Sequence, residues 1–416
     1  MNELMRRPDE VGGLSDLAFR ELAGAVGGIG AIHRAVATRA FSGVGPGGRP
    51  AQLVHDAISH RVYGLVRGGA SLLGKGSVAV LGRRLPTTER ELSTTARGSA
   101  VLGVINGLIG DALEEEGSDL QEPMSVRIEG QVVPLEPAAL ARAFPLATPR
   151  LAVFVHGLME TEFAWRLGQS RAGGTYASRL SRDLGCTPIE VRYNTGRHIS
   201  ENGRSLSELL AELVEAWPVE LEQIELIGHS MGGLGPRSAC HYAAAEHARW
   251  AGLVRHVVSL GTPHLGAPLA QAVHVASAGL HALPEVRPFG SFLRRRSAGI
   301  RDLRHGSLED EDWRDRDPHA LPAAALTEVP LLEGAMHCFV AATITRSPRH
   351  PVGRVIGDAL VLQPSASGRS RDRRIPFEAE HGMHVGGAHH LALLNHPEVY
   401  ERLRDWLATE PAAVTS

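Results

Sequence analysis

Apolar residues recur along this chain with two different periods. In "AQLVHDAISHRVYGLVRGG" (51–69), Val54, Ile58, Val62, Leu65 and Val66 fall at helical spacing. The first 120 residues as a whole read as helical and rich in Gly and Ala. "GGASLLGKGS" (68–77) interrupts that pattern, and the acidic, turn-like "GDALEEEGSDLQEP" (110–123) reads as a boundary. Beyond it the period shortens. "SVRIEGQVVPL" (125–135) reads as a strand, a turn at Gly130 and a second strand. "RLAVFVHG" (150–157), "TPIEVRYN" (187–194), "IELIG" (224–228), "LVRHVVSLG" (253–261) and "MHCFVAATIT" (336–345) are short apolar runs. Helical patterns such as "SLSELLAELVEAW" (205–217) lie between several of them. Near-continuous apolar strands alternating with helices predict an α/β fold with a mostly parallel central sheet flanked by helices on both faces.

The stretch from about 266 to 332 breaks this rhythm with charge and proline, as in "PFGSFLRRRSAGIRDLRHGSLEDEDWRDRDPHALP". It is too long for an ordinary connection and reads as an insertion, with a lid as the natural expectation. A length of 416 residues suits one large domain with an appendage, or two domains. The expected division is an N-terminal helical segment, 1–120, and an α/β domain, 121–416, carrying the insertion. The N-terminal segment has two readings: a helical cap packed on the α/β core, or an amphipathic surface that meets a membrane or a partner subunit.

Composition narrows the function. Net charge is −3, from 43 basic and 46 acidic residues, so no basic field exists to hold nucleic acid. Lys75 is the only lysine, which fits a genome rich in G and C rather than a demand for guanidinium. The three cysteines, Cys186, Cys240 and Cys338, lie in or beside apolar segments without a CxxC pair and read as buried thiols in a reducing compartment. The first nineteen residues hold no apolar block of the kind a secretory signal needs, and no run is long enough to span a bilayer; "GSAVLGVINGLIG" (98–110) comes closest. A cytoplasmic protein, with membrane contact at most peripheral, is expected.

"IELIGHSMGG" (224–233) carries the chemistry. Gly228-His229-Ser230-Met231-Gly232 is G-x-S-x-G, directly after an apolar strand and before a helical pattern. A serine on so sharp a turn stands clear of the sheet, and glycines two residues away on each side relieve the crowding of the backbone. The following helix start aims amide hydrogens at developing negative charge. A tight turn with an incidental serine is the alternative.

"GHSMGG" resembles the nucleophile elbow of the α/β-hydrolase superfamily, in particular bacterial serine lipases and esterases. "VFVHGLMETEFAW" (153–165) resembles that family's His-Gly oxyanion loop, and "LGTPHLGAPLA" (260–270) its T-P-H-x-G segment. The resemblance covers about 150 to 410 and implies an α/β-hydrolase fold. It implies a serine hydrolase cleaving carboxylic esters, with lipid-like acyl groups favoured by the insertion and the T-P-H-x-G segment. It also implies the roles. Backbone N–H groups of Leu158 and Met231 would form the oxyanion hole. The order Ser, acid, His expected in this fold selects Asp358 in "VGRVIGDALVLQPSASG", similar to the family's D-G-L-V segment, and a histidine beyond it. In "HHLALLNHPEVYERLRDWL" (389–407), His390 precedes two residues and then two leucines, as the family's catalytic histidine often does; His389 is the runner-up. Val399, Leu403 and Trp406 then share one face of a helix opened by Pro397.

For His229 and His264, packing and hydrogen bonding around the turn outweigh a chemical role. The acidic run 307–315 reads as a solvated face. Histidines crowd residues 381–396, but without metal-ligand spacing, so no metal and no cofactor is expected. The same site could pass its acyl group to an alcohol or thiol instead of water. More distantly, the family resembles the lipase-like deacylases of glycolipid anchors and some polyester depolymerases, and a hydrolase fold can also serve as a non-catalytic scaffold. Finally, Pro236 in "GLGPRSA" lacks an N–H and crowds the carbonyl of Gly232, which predicts a late helix start or a kink.

Overall fold

A computed structural model describes residues 93–267, 297–316, 326–370 and 373–409. The helical pattern at 54–66, and most of the expected insertion, lie outside these residues. The chain divides into two compact units, Met1–Val101 with Ala272–Arg295, and Leu102–Gln271 with Arg296–Ser416. Of the first unit the described residues are 93–101, which include the first turns of helix α1 (Ala96–Glu115).

The second unit is built on an eight-stranded sheet. Its strands are β1 (Ser125–Ile128), β2 (Gln131–Val132), β3 (Arg150–Val155), β4 (Thr187–Arg192), β5 (Gln223–His229), β6 (Val254–Leu260), β7 (Met336–Thr343) and β8 (Gly382–Gly386). They lie in the order β2-β1-β4-β3-β5-β6-β7-β8. β1 pairs antiparallel with β2 and with β4, and every pairing from β4 to β8 is parallel. The β1–β2 hairpin turns through Glu129 (φ 51°) and Gly130 (φ 81°), where the sequence places it. This is the mostly parallel α/β architecture the sequence predicts, with an antiparallel hairpin at one edge.

Alternation along each strand feeds two cores. Leu151, Val153 and Val155 point to one face, where they meet Leu206, Leu210 and Leu213 of α3 (Ile199–Ala216) and Leu234 and Ala239 of α4 (Leu234–Ala245). Ala152 and Phe154 point to the other, against Tyr176 and Leu180 of α2 (Tyr176–Leu184) and Leu403 and Trp406 of α5 (Pro397–Leu407). A strand buried on both faces cannot alternate apolar with polar, which is why these strands read as continuous apolar runs. Each fully buried Leu or Phe contributes roughly 1.5–3 kcal/mol. α5 opens on Pro397 and buries Val399, Leu403 and Trp406, as its spacing predicts.

Three local expectations change. β8 went unread because "HGMHVGG" has no apolar run; it adds to the sheet through backbone pairing with Phe339–Thr343 of β7. α1 continues to Glu115, through half of the stretch that reads as turn-like. The acidic run is a solvated face only at Glu311 and Asp315. Glu309, Asp310 and Asp312 are buried. Asp310 takes a two-pronged bond from Arg204 (2.9 and 2.7 Å), Glu309 pairs with His241 (3.1 Å), and Asp312 accepts the Leu308 N–H (2.9 Å). Partners distant in sequence satisfy these charges. All three cysteines are buried and free. Among the described residues no helix is long and apolar enough to cross a membrane.

Candidate active site

Every candidate residue lies at or beyond the carboxyl end of a strand: Gly157 and Leu158 after β3, Ser230 after β5, Asp358 after β7 and His390 after β8. That is where open α/β sheets place their sites.

Ser230 follows β5 directly and holds φ at 56°, a left-handed conformation that a residue with a Cβ adopts only at a cost of order 1–2 kcal/mol. The glycines around it are sterically required. A Cβ on Gly228 would stand 2.1 Å from the Gly232 carbonyl oxygen, and a Cβ on Gly232 would stand 2.3 Å from the carbonyl oxygens of Val155 and His156. These are backbone atoms that no side-chain movement can clear. Gly232→Ala is therefore expected to push the β3 exit loop away from the elbow and to cost about 1–3 kcal/mol of stability. Urea unfolding would measure it; an unchanged midpoint would remove the argument from crowding. The chain then runs through a single 3-10 turn, Ser230–Gly233, before α4 begins at Leu234. This is the late helix start that Pro236 predicts.

Asp358 and His390 are brought together. His390 Nδ1 lies 2.7 Å from Asp358 Oδ2, and the His390 N–H donates to the Asp358 carbonyl (2.9 Å). The other carboxylate oxygen, Oδ1, accepts the N–H groups of Leu360 (3.0 Å) and Val361 (2.8 Å). Asp358 thus closes its own turn and orients the imidazole with opposite edges of one carboxylate. Both side chains are buried, and among the described residues His390 Nε2 has no hydrogen-bond partner. Burial alone would lower the His390 pKa; the Asp358 carboxylate by charge and hydrogen bond, with a further push from Glu160, raises it above the usual imidazole value. Among the described residues the runner-up His389 makes no such bond, and burial pushes its pKa down.

The imidazole is near the elbow. Its ring centroid is 4.8 Å from that of His229, the residue before Ser230. It also packs on Gly261, where a Cβ would come within 3.1 Å of the ring.

The loop after β3 stands against Ser230: a Cβ on Gly157 would lie 2.9 Å from Ser230 Cβ. Its backbone donors are spoken for on both sides of Leu158. The Gly157 N–H donates to Glu160 Oε2 (2.7 Å) and the Met159 N–H to Thr195 Oγ1 (3.2 Å). Met159 is itself left-handed (φ 60°). The loop is held below by Tyr193, whose hydroxyl donates to the His156 carbonyl (2.8 Å) and whose ring stacks on His156. Beyond it, buried Arg192 joins Glu162 (2.6 Å) and Glu122 (3.3 Å).

Sequence reading missed Glu160. Its Oε2, besides accepting from Gly157, lies 3.1 Å from His229 Nδ1. Burial pushes this carboxyl up, but His229 by charge and hydrogen bond, together with the Gly157 N–H, holds it down at about 2. The available signal was a lone carboxylate three residues after the glycine of "VHGLME". His264 is buried, 3.4 Å through Nδ1 from Arg237 Nη1 and against the Phe377 ring, and burial drives it well below its ordinary value. As potential cation ligands, the described residues bring Glu378, Glu380 and His381 together, with both glutamates exposed.

Comparison with known proteins adds the following. No curated protein matches the chain. Among solved structures, the mature-form lipase BlEst2 of Bacillus licheniformis is similar at 16% identity, covering 62% of this chain and 91% of that one, with a TM-score of 0.38. A Pyrobaculum calidifontis esterase matches at 14% identity over 63% of this chain and 75% of that one, TM-score 0.35. The Staphylococcus hyicus lipase matches at 16% over 62% and 95%, TM-score 0.33. At these values the likenesses say nothing of substrate. Residues 147–303, well under half of the chain but including the loop after β3 and the turn at Ser230, match the family model described as "Putative serine esterase (DUF676)".

Proposed function

We propose that this protein is a serine hydrolase that cleaves carboxylic esters through Ser230, His390 and Asp358. The observation that carries the reading is the buried Asp358–His390 hydrogen bond of 2.7 Å, which leaves Nε2 without a partner among the described residues, in a ring whose centroid is 4.8 Å from that of His229, the neighbour of the left-handed Ser230. With Nδ1–H fixed on Asp358, Nε2 is the basic nitrogen. It takes the Ser230 proton as Oγ attacks the ester carbonyl. The tetrahedral oxyanion is received by the N–H groups of Leu158 and Met231, and the neighbours of Leu158 support the first assignment, since both already have partners. His390 then hands its proton to the departing alcohol as the C–O bond breaks. Water, deprotonated by the same nitrogen, attacks the acyl-enzyme; the carboxylic acid leaves and Ser230 regains its proton.

Lipid-like acyl esters are the proposed substrates, supported by the long insertion after β6 and the T-P-H-x-G segment. A p-nitrophenyl ester series tests this. Each methylene buried in an acyl groove contributes about 0.8 kcal/mol, so kcat/KM is expected to rise about fourfold per methylene until the groove is full. Fastest cleavage of the acetate, falling with length, would contradict a lipid-like substrate. Adding a primary alcohol separates hydrolysis from transfer: free acid as the main product supports hydrolysis, and a new ester as the main product supports acyl transfer.

A further inference from the structure

We propose that Glu160 is a positioning residue for this chemistry, its carboxylate clamping the oxyanion loop to the nucleophile elbow. The inference rests on the ester-cleaving reading above. The two N–H donors of the oxyanion hole come from different strands' ends, Leu158 after β3 and Met231 after β5. β3 and β5 are adjacent, with Val155 opposite Gly228, but strand pairing stops there. Past that point something else must fix the gap between the two donors, because a displacement of about 1 Å can cost on the order of a hundredfold in rate.

Glu160 spans the gap with one atom. Its Oε2 accepts the Gly157 N–H at 2.7 Å on the loop side and meets His229 Nδ1 at 3.1 Å on the elbow side. His229 immediately precedes Ser230, and its side chain is fully buried. The same oxygen would lie 3.0 Å from a Cβ on Gly157, a point only 2.9 Å from Ser230 Cβ, so clamp, loop and nucleophile pack against one another. The glutamate is also seated from behind. A Cβ on Gly103 of α1 would stand 2.8 Å from the Glu160 carbonyl oxygen, and one on Gly107 would stand 3.1 Å from Met159 Cα. α1 therefore approaches the loop as closely as a helix without side chains can. A carboxylate held by two donors remains ionised through the pH range of any esterase assay, so the clamp does not release.

The test compares Glu160→Ala and Glu160→Gln with the wild type for kcat, KM, unfolding midpoint and the rate and extent of fluorophosphonate labelling. The alanine variant is expected to lose about a hundredfold in kcat with KM within about threefold, to label more slowly, and still to label completely. Glutamine keeps an oxygen that can accept from both donors and is expected to recover to within about tenfold of wild type. Wild-type kcat in folded Glu160→Ala overturns the proposal. A loss that tracks only the fraction of unfolded or unlabelled protein overturns it too, leaving a purely structural glutamate. If wild type itself neither cleaves esters nor labels at Ser230, the hydrolase reading falls and takes this one with it; labelling of wild type with an unaffected alanine variant removes Glu160 alone.

Discussion

Ser230→Ala is expected to reduce ester turnover by about 10³- to 10⁶-fold while leaving the fold intact. Alanine has no oxygen to form the acyl-enzyme, so the surviving rate is only what the oxyanion donors and substrate binding supply. The loss belongs in kcat, because the serine Oγ contributes little to holding the ground-state ester. Stability is expected to stay within about 1 kcal/mol, since alanine meets the same left-handed backbone at φ 56° that serine already endures. Steady-state kinetics with a single p-nitrophenyl ester checks it. A variant retaining a tenth of wild-type kcat would move the nucleophile elsewhere.

Asp358→Asn is the second large effect, expected at about 10⁴-fold in kcat. The amide keeps the part of Asp358 that builds the turn, because its oxygen can still accept from Leu360 and Val361. Toward His390 Nδ1 it presents an N–H₂ group, which stabilises the tautomer carrying the proton on Nε2, and that tautomer cannot act as base. The pH profile should move as well. His390 must be neutral to take the Ser230 proton, so wild-type kcat/KM rises with pH through its pKa, which lies above the ordinary value of about 6.5. Without the carboxylate, burial dominates and the acid limb shifts down. Stability follows the opposite limb. A histidine raised in the folded state stabilises it fully below its unfolded pKa, and this contribution fades as pH rises through the folded value. The stability cost of Asp358→Asn should therefore be larger at pH 5.5 than at pH 9. A variant whose acid limb coincides with wild type would disconnect Asp358 from the base.

Much of the α/β domain is legible in the sequence because strands buried on both faces must be apolar throughout. β3, β5, β6 and β7 announce themselves that way, and the glycines of the elbow are forced by contacts of 2.1–2.3 Å. What escapes reading is whatever depends on partners distant in sequence. β8 is held by its pairing to β7, so Gly, Met and His suffice for it. Glu309, Asp310 and Asp312 look like solvent-facing charges until Arg204 and His241 arrive from α3 and α4. Glu160 is invisible for the same reason: its meaning lies in His229, which is 69 positions away and on another strand. His264, read from the T-P-H segment as a packing residue, is packed against Phe377 and Arg237.

The proposed mechanism makes Ser230 the activated nucleophile. Its most direct test is to treat folded wild-type protein with a fluorophosphonate and locate the adduct by peptide mass spectrometry. Stoichiometric, single-site modification of Ser230, absent from Ser230→Ala and slowed in Asp358→Asn, is the predicted result. A folded protein that stays unmodified, or that carries the adduct on another residue, would contradict it.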